Sequence, residues 1–399
     1  MLSFDYDFDR HLAEMRRWET EKGKMTSQLS GWENSPDEVS IPWGFLNDTW
    51  NKSLRNVNKY IEDEHAEKFL DGELFLNGKF IGLILPNSTA ALNIAIISAV
   101  KTWGIKSVGI VQPAYFTVGR ICSSLGLRQI NTNVDHWING TLSIADAHSA
   151  MSQLHDADMI IITAPMYGSG LDISEFTREL IAIGINTRKS ILVDAAFDGL
   201  LFRNNSCTDN PFFRRHTNFH NKIMYIHSPA KSLFLNGAKS AVLTGDNDVI
   251  ANANELRNVK AGTVTAFQAE LVLALSSSRL PHDVAASLAH NAIKIRRNYE
   301  ALSVLSMSRG WSIANSSVGI HTVVFDKIDS FPPGKVTDHC IKLLKSTGVF
   351  ALPLEGLGYR QNVAMGYRVN LAANWPSISS AFLRLAEFHS NGRDILQGS

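Results

Sequence analysis

Short apolar runs that each stop at a turn residue recur along the first part of the chain. They are unbroken rather than alternating, which is typical of strands buried on both faces of a sheet. The runs are FIGLILP (80–86), SVGIVQP (107–113), MIIITAP (159–165), SILVDAA (190–196), KIMYIHSP (222–229) and SAVLTGD (240–246). Several gaps between them carry helix-like patterns, such as STAALNIAIISAVKTWG. This alternation predicts an α/β fold with a mostly parallel sheet sandwiched by helices.

A different order of elements begins after about residue 290. The stretch SLAHNAIKIRRNYEALSVLSMSRG has the spacing of one long amphipathic helix. It is followed by GIHTVVFDK, KVTDHCIKLLKSTG, VFALPLEG, YRVNLAA and SISSAFLRLAEFH, which read in the order β-α-β-β-α. We therefore predict a large domain over residues 60–290 and a smaller α+β domain formed by residues 1–59 and 291–399.

The composition indicates a globular protein with a formal net charge of zero at pH 7. Of 399 residues, 45% are hydrophobic and 19% are charged, which is enough to bury a large core. Lys and Arg together number 38, as do Asp and Glu, so nothing favours nucleic acid or an anionic membrane as a partner. No apolar run approaches the roughly 20 residues of a membrane-spanning helix. The N-terminus also lacks a signal-peptide core, so we expect a cytoplasmic protein.

The cysteines do not indicate a metal or disulfide site. Cys122, Cys207 and Cys340 are far apart and have no paired spacing. We therefore expect no metal ligands and a reducing compartment.

Polar and aromatic residues follow the apolar runs where the strands of the sheet would end. Ligands bind beyond the carboxyl ends of the strands in such a sheet, so these residues would share one rim. They comprise a hydroxyl-rich helix start, two tyrosines, an acid, a serine and a lysine. In chain order they are Asn87, Ser88, Thr89, Tyr115, Tyr167, Asp194, Ser228 and Lys231.

This set of side chains suits pyridoxal phosphate. That cofactor needs a lysine for a Schiff base, an acid beside its ring nitrogen, a helix N-terminus with hydroxyls for its phosphate, and a flat side chain against its ring. Each residue alone has a more ordinary explanation, because Asn-Ser-Thr commonly caps a helix and most lysines lie on the surface. The prediction depends on their order at consecutive strand ends.

Two motifs resemble those of fold-type I pyridoxal-phosphate enzymes, in particular the class I/II aminotransferase family related to aspartate aminotransferase. SPAKSLFLNGAK is similar to the signature Ser-x-x-Lys-x₇-Arg. The resemblance implies that Lys231 forms the Schiff base and that Ser228 and Lys239 bind the cofactor phosphate. DAAF is similar to Asp-x-x-Tyr, which implies that Asp194 contacts the pyridine nitrogen.

Three further segments resemble the family in the same order. PNSTAAL is similar to the phosphate-binding segment, which implies that Asn87, Ser88 and Thr89 lie over the phosphate. QPAY would bring Tyr115 onto the face of the ring. GYRVNLA is similar to the segment whose arginine binds the substrate carboxylate, which points to Arg368.

Three residues depart from the family pattern around the cofactor. Phe197 replaces a tyrosine whose hydroxyl bonds the phenolic oxygen of the ring, and Tyr167 replaces an asparagine that bonds the same oxygen. Lys239 replaces a planar, bidentate arginine with a point charge. We therefore expect a specialised branch rather than an ordinary transaminase, with Tyr167 at the cofactor.

The resemblance implies a pyridoxal-phosphate-dependent aminotransferase that acts on an amino acid and forms a homodimer. A decarboxylase, a β- or γ-elimination or replacement lyase, or an oxidase acting on an amino acid uses the same cofactor, and these alternatives stay open. A cofactor-sensing regulator is less favoured, since the residues before the sheet domain contain no basic recognition helix. A nicotinamide-binding protein is also less favoured, because no G-x-G-x-x-G follows an early strand.

Overall fold

The described part of the chain contains twelve strands. The computed structural model describes residues 6–30, 40–55, 81–133, 142–198, 200, 202, 222–235, 238–260, 264–275, 280–326, 335–359 and 364–397. The strands are β1 (Ser27–Gln28), β2 (Ile81–Leu85), β3 (Ser107–Gln112), β4 (Arg128–Asn133), β5 (Met159–Thr163), β6 (Ser190–Ala195), β7 (Ile223–His227), β8 (Ala241–Gly245), β9 (Ser312–Ile313), β10 (His321–Asp326), β11 (Val349–Phe350) and β12 (Met365–Asn370).

Helices occupy most of the connections in the described residues. They are α1 (Phe8–Lys22), α2 (Trp43–Arg55), α3 (Ser88–Trp103), α4 (Phe116–Ser124), α5 (Ile144–Gln153), α6 (Ser174–Asn186), α7 (Pro229–Ser232), α8 (Asn247–Lys260), α9 (Ala266–Leu275), α10 (His282–Ser308), α11 (Val336–Thr347) and α12 (Trp375–Gln397). A short 3₁₀ helix covers Leu354–Leu357.

Seven strands form the central sheet in the order β2-β8-β7-β6-β5-β3-β4. The strands from β3 to β7 run parallel, whereas β8 runs antiparallel to both β7 and β2. The expected fold class, a mostly parallel sheet sandwiched by helices, is confirmed. Each of the apolar runs contains one of these strands. Only β4 was not predicted, because RQINTN is a polar segment at the sheet edge and pairs with β3 alone.

The apolar runs are unbroken because the strands contribute side chains to both faces of the sheet. On β5, Ile160 and Ile162 belong to one hydrophobic core, while Met159 and Ile161 belong to the other. Helices α5 and α6 cover the first face, and α3, α4 and α8 cover the second. On β3, β5, β6 and β7, the polar side chains Gln112, Thr163, Asp194 and His227 lie at or next to the carboxyl end of the strand, where the sheet is not covered.

A second part of the structure combines N-terminal and C-terminal segments. The antiparallel sheet β12-β10-β9 is accompanied by β1, which pairs in parallel with β11. VFALPLEG forms the two-residue strand β11 and the 3₁₀ helix rather than one longer strand. Helix α10 runs unbroken across residue 290. The division into residues 60–290 and residues 1–59 with 291–399 stays a prediction, and its boundary at residue 59 lies outside the described residues.

Cys122 and Cys340 are buried free thiols, while Cys207 lies outside the described residues. Among the residues that the structure describes, no cluster of three or more His, Cys, Asp or Glu side chains could hold a metal ion. None of the described helices combines the length and the hydropathy needed to cross a membrane.

The turn after β5, which carries Tyr167, is fixed by Gly170. This glycine has φ +64°, a left-handed conformation that favours glycine. A Cβ at this position would collide with the carbonyl oxygens of Val318 and His321. The Gly170 carbonyl also accepts hydrogen bonds from the N–H groups of Ser317 and Val318 at 2.9 and 3.1 Å. The turn is therefore fixed against the segment that leads into β10.

Gly170→Ala is expected to lower the free energy of unfolding by about 3 kcal/mol or more, because it adds a backbone collision to the cost of a left-handed alanine. Gly126→Ala is the matched control, since Gly126 has φ +68° and nothing within 4 Å of the added Cβ. The control should cost about 1 kcal/mol. Urea unfolding of both variants measures the difference, and equal losses would contradict the packing of Gly170 described here.

Candidate active site

A cavity of about 620 Å³ lies at the carboxyl ends of the central strands. Nine of the ten residues singled out from the sequence line it, and the exception is Arg368. Phe197, Ala230 and Leu235 complete its described lining. The nine residues are Asn87, Ser88, Thr89, Tyr115, Tyr167, Asp194, Ser228, Lys231 and Lys239.

The direction of β8 explains how Lys239 reaches this edge of the sheet. Most of the lining residues follow a parallel strand, but Lys239 precedes β8. Because β8 is antiparallel to β7, the start of β8 lies beside the end of β7. The residue pair His227–Val242 marks that end of the ladder. Ser228 and Lys239 therefore meet at one edge although they stand on opposite ends of their strands.

Lys231 and Asp194 place opposite charges in the buried part of the cavity. Asp194 lies on β6 and is 3% exposed, and its carboxylate accepts a hydrogen bond from the N–H of Ala196 at 3.1 Å. Burial raises the pKa of the Asp194 carboxyl, although the Lys231 charge and the Ala196 N–H act against this shift. Burial lowers the pKa of Lys231 to about 8. The negative charge of Asp194 raises this pKa, whereas the positive charges of Lys239 and Arg368 lower it further. Lys231 can therefore exchange a proton near neutral pH.

The aromatic ring of Phe197 lies next to the Lys231 amine. Lys231 Nζ is 4.0 Å from the centroid of the Phe197 ring, which is a cation–π distance. Phe197 follows β6 by two residues, so it shares the strand end of Asp194. The resemblance implies a tyrosine hydroxyl at position 197, but the face of the Phe197 ring lies against the Lys231 ammonium instead.

Two segments at neighbouring strand ends offer groups that can hold a phosphate. Asn87 is the N-cap of α3 and its side-chain oxygen accepts from the Ala90 N–H at 2.9 Å, so that oxygen stabilises the helix. Ser88 and Thr89 stand in the first turn, where N–H groups and the helix dipole favour an anion. Lys239 adds an exposed ammonium from the neighbouring strand.

The hydroxyl of Ser228 already has a partner within the protein. Its Oγ donates a hydrogen bond to the carbonyl oxygen of Ser240 at 2.7 Å, and both residues are buried. A serine hydroxyl has one proton. Ser228 could therefore donate to a phosphate only by releasing Ser240, and in the described arrangement it connects the ends of β7 and β8.

Tyr115 and Tyr167 form an aromatic wall of the cavity, with ring centroids 5.7 Å apart. Tyr167 is the more buried, at 5% exposure. Burial raises the pKa of Tyr167, while the positive charge of Arg368 and its hydrogen bond lower it. The Tyr167 hydroxyl is therefore protonated at neutral pH and can donate a hydrogen bond.

Arg368 lies behind Tyr167 rather than on the surface of the cavity. It belongs to β12 and is 2% exposed. Its Nη1 donates to the Tyr167 hydroxyl at 3.5 Å, and its Nη2 donates to the carbonyl oxygen of Ser30 at 2.8 Å. The Ser30 hydroxyl in turn donates to the Arg368 carbonyl at 2.5 Å. The arginine is thus held between β12 and the N-terminal segment, with one hydroxyl between it and the cavity.

The sequence patterns did not indicate Ala230 and Leu235 on the cavity wall, or Ser30 and His321 close to the site. The His321 ring contacts Phe197 edge-to-face, with centroids 5.5 Å apart. Burial lowers the pKa of His321 well below its usual value, and the charges of Arg368 and Lys231 add to this. The imidazole is therefore neutral at neutral pH. His321 begins β10 in GIHTVVFDK, but the strand pattern does not indicate which active-site residue its ring would meet.

Sequence comparison gives no match, since no protein-family model and no curated protein matches this chain. Solved structures do match over nearly the whole length. Aspartate aminotransferase from Rhizobium meliloti is 14% identical with a TM-score of 0.73, covering 96% of this chain and 95% of that one. N-succinyldiaminopimelate aminotransferase from Mycobacterium tuberculosis is 17% identical with a TM-score of 0.70, covering 94% and 96%. MJ0684 from Methanococcus jannaschii, whose active site is described as similar to those of kynurenine aminotransferases, is 16% identical with a TM-score of 0.70, covering 97% and 98%.

The chain therefore has the fold of the aspartate aminotransferase-like, fold-type I pyridoxal-phosphate enzymes. This confirms the fold that the motif resemblance implied. At such low identity the likeness concerns the fold, and the chemistry has to be argued from the residues of this cavity.

In protein without cofactor, trace acetylation of Lys231 is expected to be half-maximal near pH 8, well below the pH of about 10.4 typical of a solvated lysine. Asp194→Asn keeps an acceptor for the Ala196 N–H but removes the charge that stabilises the ammonium. Its midpoint should therefore lie at lower pH than that of the wild type. Peptide mass spectrometry measures both profiles. A wild-type midpoint near 10, or no shift in Asp194→Asn, would contradict the buried pair.

Proposed function

We propose that this protein is a pyridoxal-phosphate-dependent aminotransferase that acts on an amino acid. The observation that carries the proposal is the joint placement of Lys231 and Asp194 in one cavity, where burial brings the pKa of the amine to about 8. The same cavity is bordered by a helix N-terminus with hydroxyls and by Lys239. The aminotransferase fold supports this reading of the site.

The side chains of the cavity fit the parts of pyridoxal phosphate. Asp194 would face the ring nitrogen, since a carboxylate there stabilises the protonated pyridinium. Lys231 would hold the cofactor covalently, and Tyr115 would lie against the ring. The first turn of α3 and Lys239 would bind the phosphate. When bound, the cofactor supplies an electron sink that stabilises negative charge at the substrate Cα.

Lys231 is also the residue that we assign to proton transfer. As a free amine with a pKa of about 8, Lys231 is partly neutral at neutral pH, so its Nζ, once the substrate amine has displaced it from the cofactor, could take a proton from the substrate Cα and return it to another carbon. The Phe197 ring 4.0 Å away favours the ammonium after proton uptake without competing for its hydrogen bonds. Phe197 thereby supports the charged form of the base.

Tyr167 would provide the hydrogen bond to the phenolic oxygen of the cofactor ring. Its hydroxyl oxygen accepts from Arg368 Nη1, so its own proton is free to point into the cavity. Phe197, at the position where the resemblance implies a second donor, has none. We therefore propose one hydrogen bond to that oxygen instead of two.

Arg368 is our assignment for the substrate carboxylate. Its buried guanidinium is separated from the cavity by the Tyr167 hydroxyl, and the 3.5 Å contact between them is long. A carboxylate entering there would replace Tyr167 as the acceptor for Nη1, while Nη2 stays with Ser30. Substrate binding would thus change the partner of Tyr167 as well as that of Arg368.

We further propose the homodimer and the cytoplasmic location that the sequence analysis inferred, with no nucleic-acid or membrane partner. The homodimer rests on the family resemblance alone.

Borohydride reduction of the cofactor-loaded protein is expected to fix the cofactor to the peptide that contains Lys231, and Lys231→Ala should lose all turnover because it removes both the attachment point and the proton carrier. Peptide mapping locates the label. Label on Lys222 or Lys239, or no label, would contradict the site assignment.

Products from single amino acids distinguish the reaction: keto acid with amino transfer supports a transaminase, whereas carbon dioxide or free ammonia indicates a decarboxylase, a lyase or an oxidase.

Tyr167→Phe is expected to shift the pH titration of the visible spectrum of the cofactor-loaded protein by roughly one to two pH units, since one charge-assisted hydrogen bond is worth about 1.5–3 kcal/mol. Losing a donor disfavours the phenolate, so the midpoint should rise. Phe197→Tyr adds a donor and should lower it. A Tyr167→Phe titration that overlays the wild type would show that the hydroxyl serves Arg368 only.

A further inference from the structure

The ladder between β2 and β8 stops where the two candidate phosphate segments begin. The pairing runs from Ile81–Gly245 to Leu85–Ala241. Pro86 comes next and has no N–H, so the ladder cannot continue in the same way. Strand β2 then leads into residues 87–89, and Lys239 lies just before the start of β8. The carbonyl oxygens at this point need other donors.

The side chain of Gln268 supplies those donors. Its Nε2 donates to the carbonyl oxygen of Lys239 and, at 3.4 Å, to that of Pro86. A primary amide has two hydrogens, one for each carbonyl. Gln268 lies on α9 and does not line the cavity.

The orientation of this amide is fixed from the other side by Thr265. Gln268 Oε1 accepts from the Thr265 N–H at 2.8 Å and from its hydroxyl at 3.1 Å. The Gln268 N–H donates back to Thr265 Oγ1 at 3.2 Å, which completes a capping box at the start of α9. Because the oxygen faces two donors, the NH₂ group faces the two carbonyls.

The bond from Ser228 to Ser240 ties a third segment to the same place. The carbonyls of Pro86, Lys239 and Ser240 are therefore each bonded to a side chain, two of them to Gln268. Beyond the last ladder pair, Leu85–Ala241, one amide group thus bridges the segment that leads into residues 87–89 and the segment that contains Lys239. A phosphate needs those two segments at a fixed separation, because hydrogen bonds weaken steeply with distance and angle.

We propose that Gln268 is a positioning residue that sets the spacing of the two segments that bind the cofactor phosphate. This inference rests on the proposed function. Its consequence is selective: loss of the amide should weaken binding of the phosphate group and leave the ring and aldehyde contacts unchanged. Pyridoxal, which has the same ring and aldehyde without the phosphate, is therefore the matched ligand.

The experiment measures dissociation constants of pyridoxal phosphate and of pyridoxal for the cofactor-free full chain, by visible absorbance. Gln268→Leu is expected to reduce the preference for pyridoxal phosphate over pyridoxal about tenfold, with pyridoxal affinity changed less than twofold. Thr265→Ala is the control, because it removes the hydroxyl from the capping box but keeps the backbone N–H of residue 265, which still orients the Gln268 amide through Oε1, and both amide donors. It should leave the preference unchanged.

An unchanged preference in Gln268→Leu, an equal loss for both ligands, or an equal effect in Thr265→Ala would overturn the proposal. If Gln268→Leu does not fold, Gln268→Glu replaces it, since it keeps the capping acceptor and loses both donors. Its preference should fall relative to the wild type in low salt and in 1 M salt, and a loss seen only in low salt would be charge repulsion and count against the proposal. Failure of the wild type to bind pyridoxal phosphate at all would instead contradict the proposed function.

Discussion

The buried Asp194 and the partly buried Lys231 pair opposite charges in one cavity, and this interaction is the one on which the rest of the site depends. A carboxylate that is 3% exposed is costly without an opposite charge, and so is a buried ammonium. The parallel register of β6 and β7, with Asp194 opposite Ile226, brings the acid next to the strand that leads to the lysine. Because both faces of the sheet are covered by hydrophobic cores, the strand ends are where such groups can meet.

The described charges of the site make it suitable for anions. Lys231, Lys239 and Arg368 are cationic, and Asp194 is the acid that lines the described cavity. His321 does not add a charge, because burial and the neighbouring cations keep it neutral. A site of this kind fits a phosphate at one end and a carboxylate at the other, with the single acid left for a pyridine nitrogen.

Phe197 and Tyr167, which both depart from the family pattern, contact different cations of the site. Removing the hydroxyl at Phe197 leaves a ring face against Lys231. Placing a hydroxyl at Tyr167 gives a group that contacts Arg368 and lines the cavity. A hydroxyl can accept from the guanidinium and donate to the cofactor at the same time. Tyr167, which would donate to the ring oxygen, is thus in direct contact with Arg368, which would bind the substrate carboxylate.

The sequence by itself determined the strands of the central sheet and the residues at their ends, since unbroken apolar runs and the residues that follow them are local features. Nine of ten candidate residues were therefore placed in one cavity. The apolar-run pattern did not predict β4, because this strand lies at the edge of the sheet, pairs with β3 alone and is polar. Tertiary structure alone decided the direction of β8, the position of Arg368 behind Tyr167, the bond that occupies Ser228 and the bridge made by Gln268. Each of these depends on which segments lie side by side across long sequence separations, and hydrogen bonds of that kind leave no periodic signal in the chain.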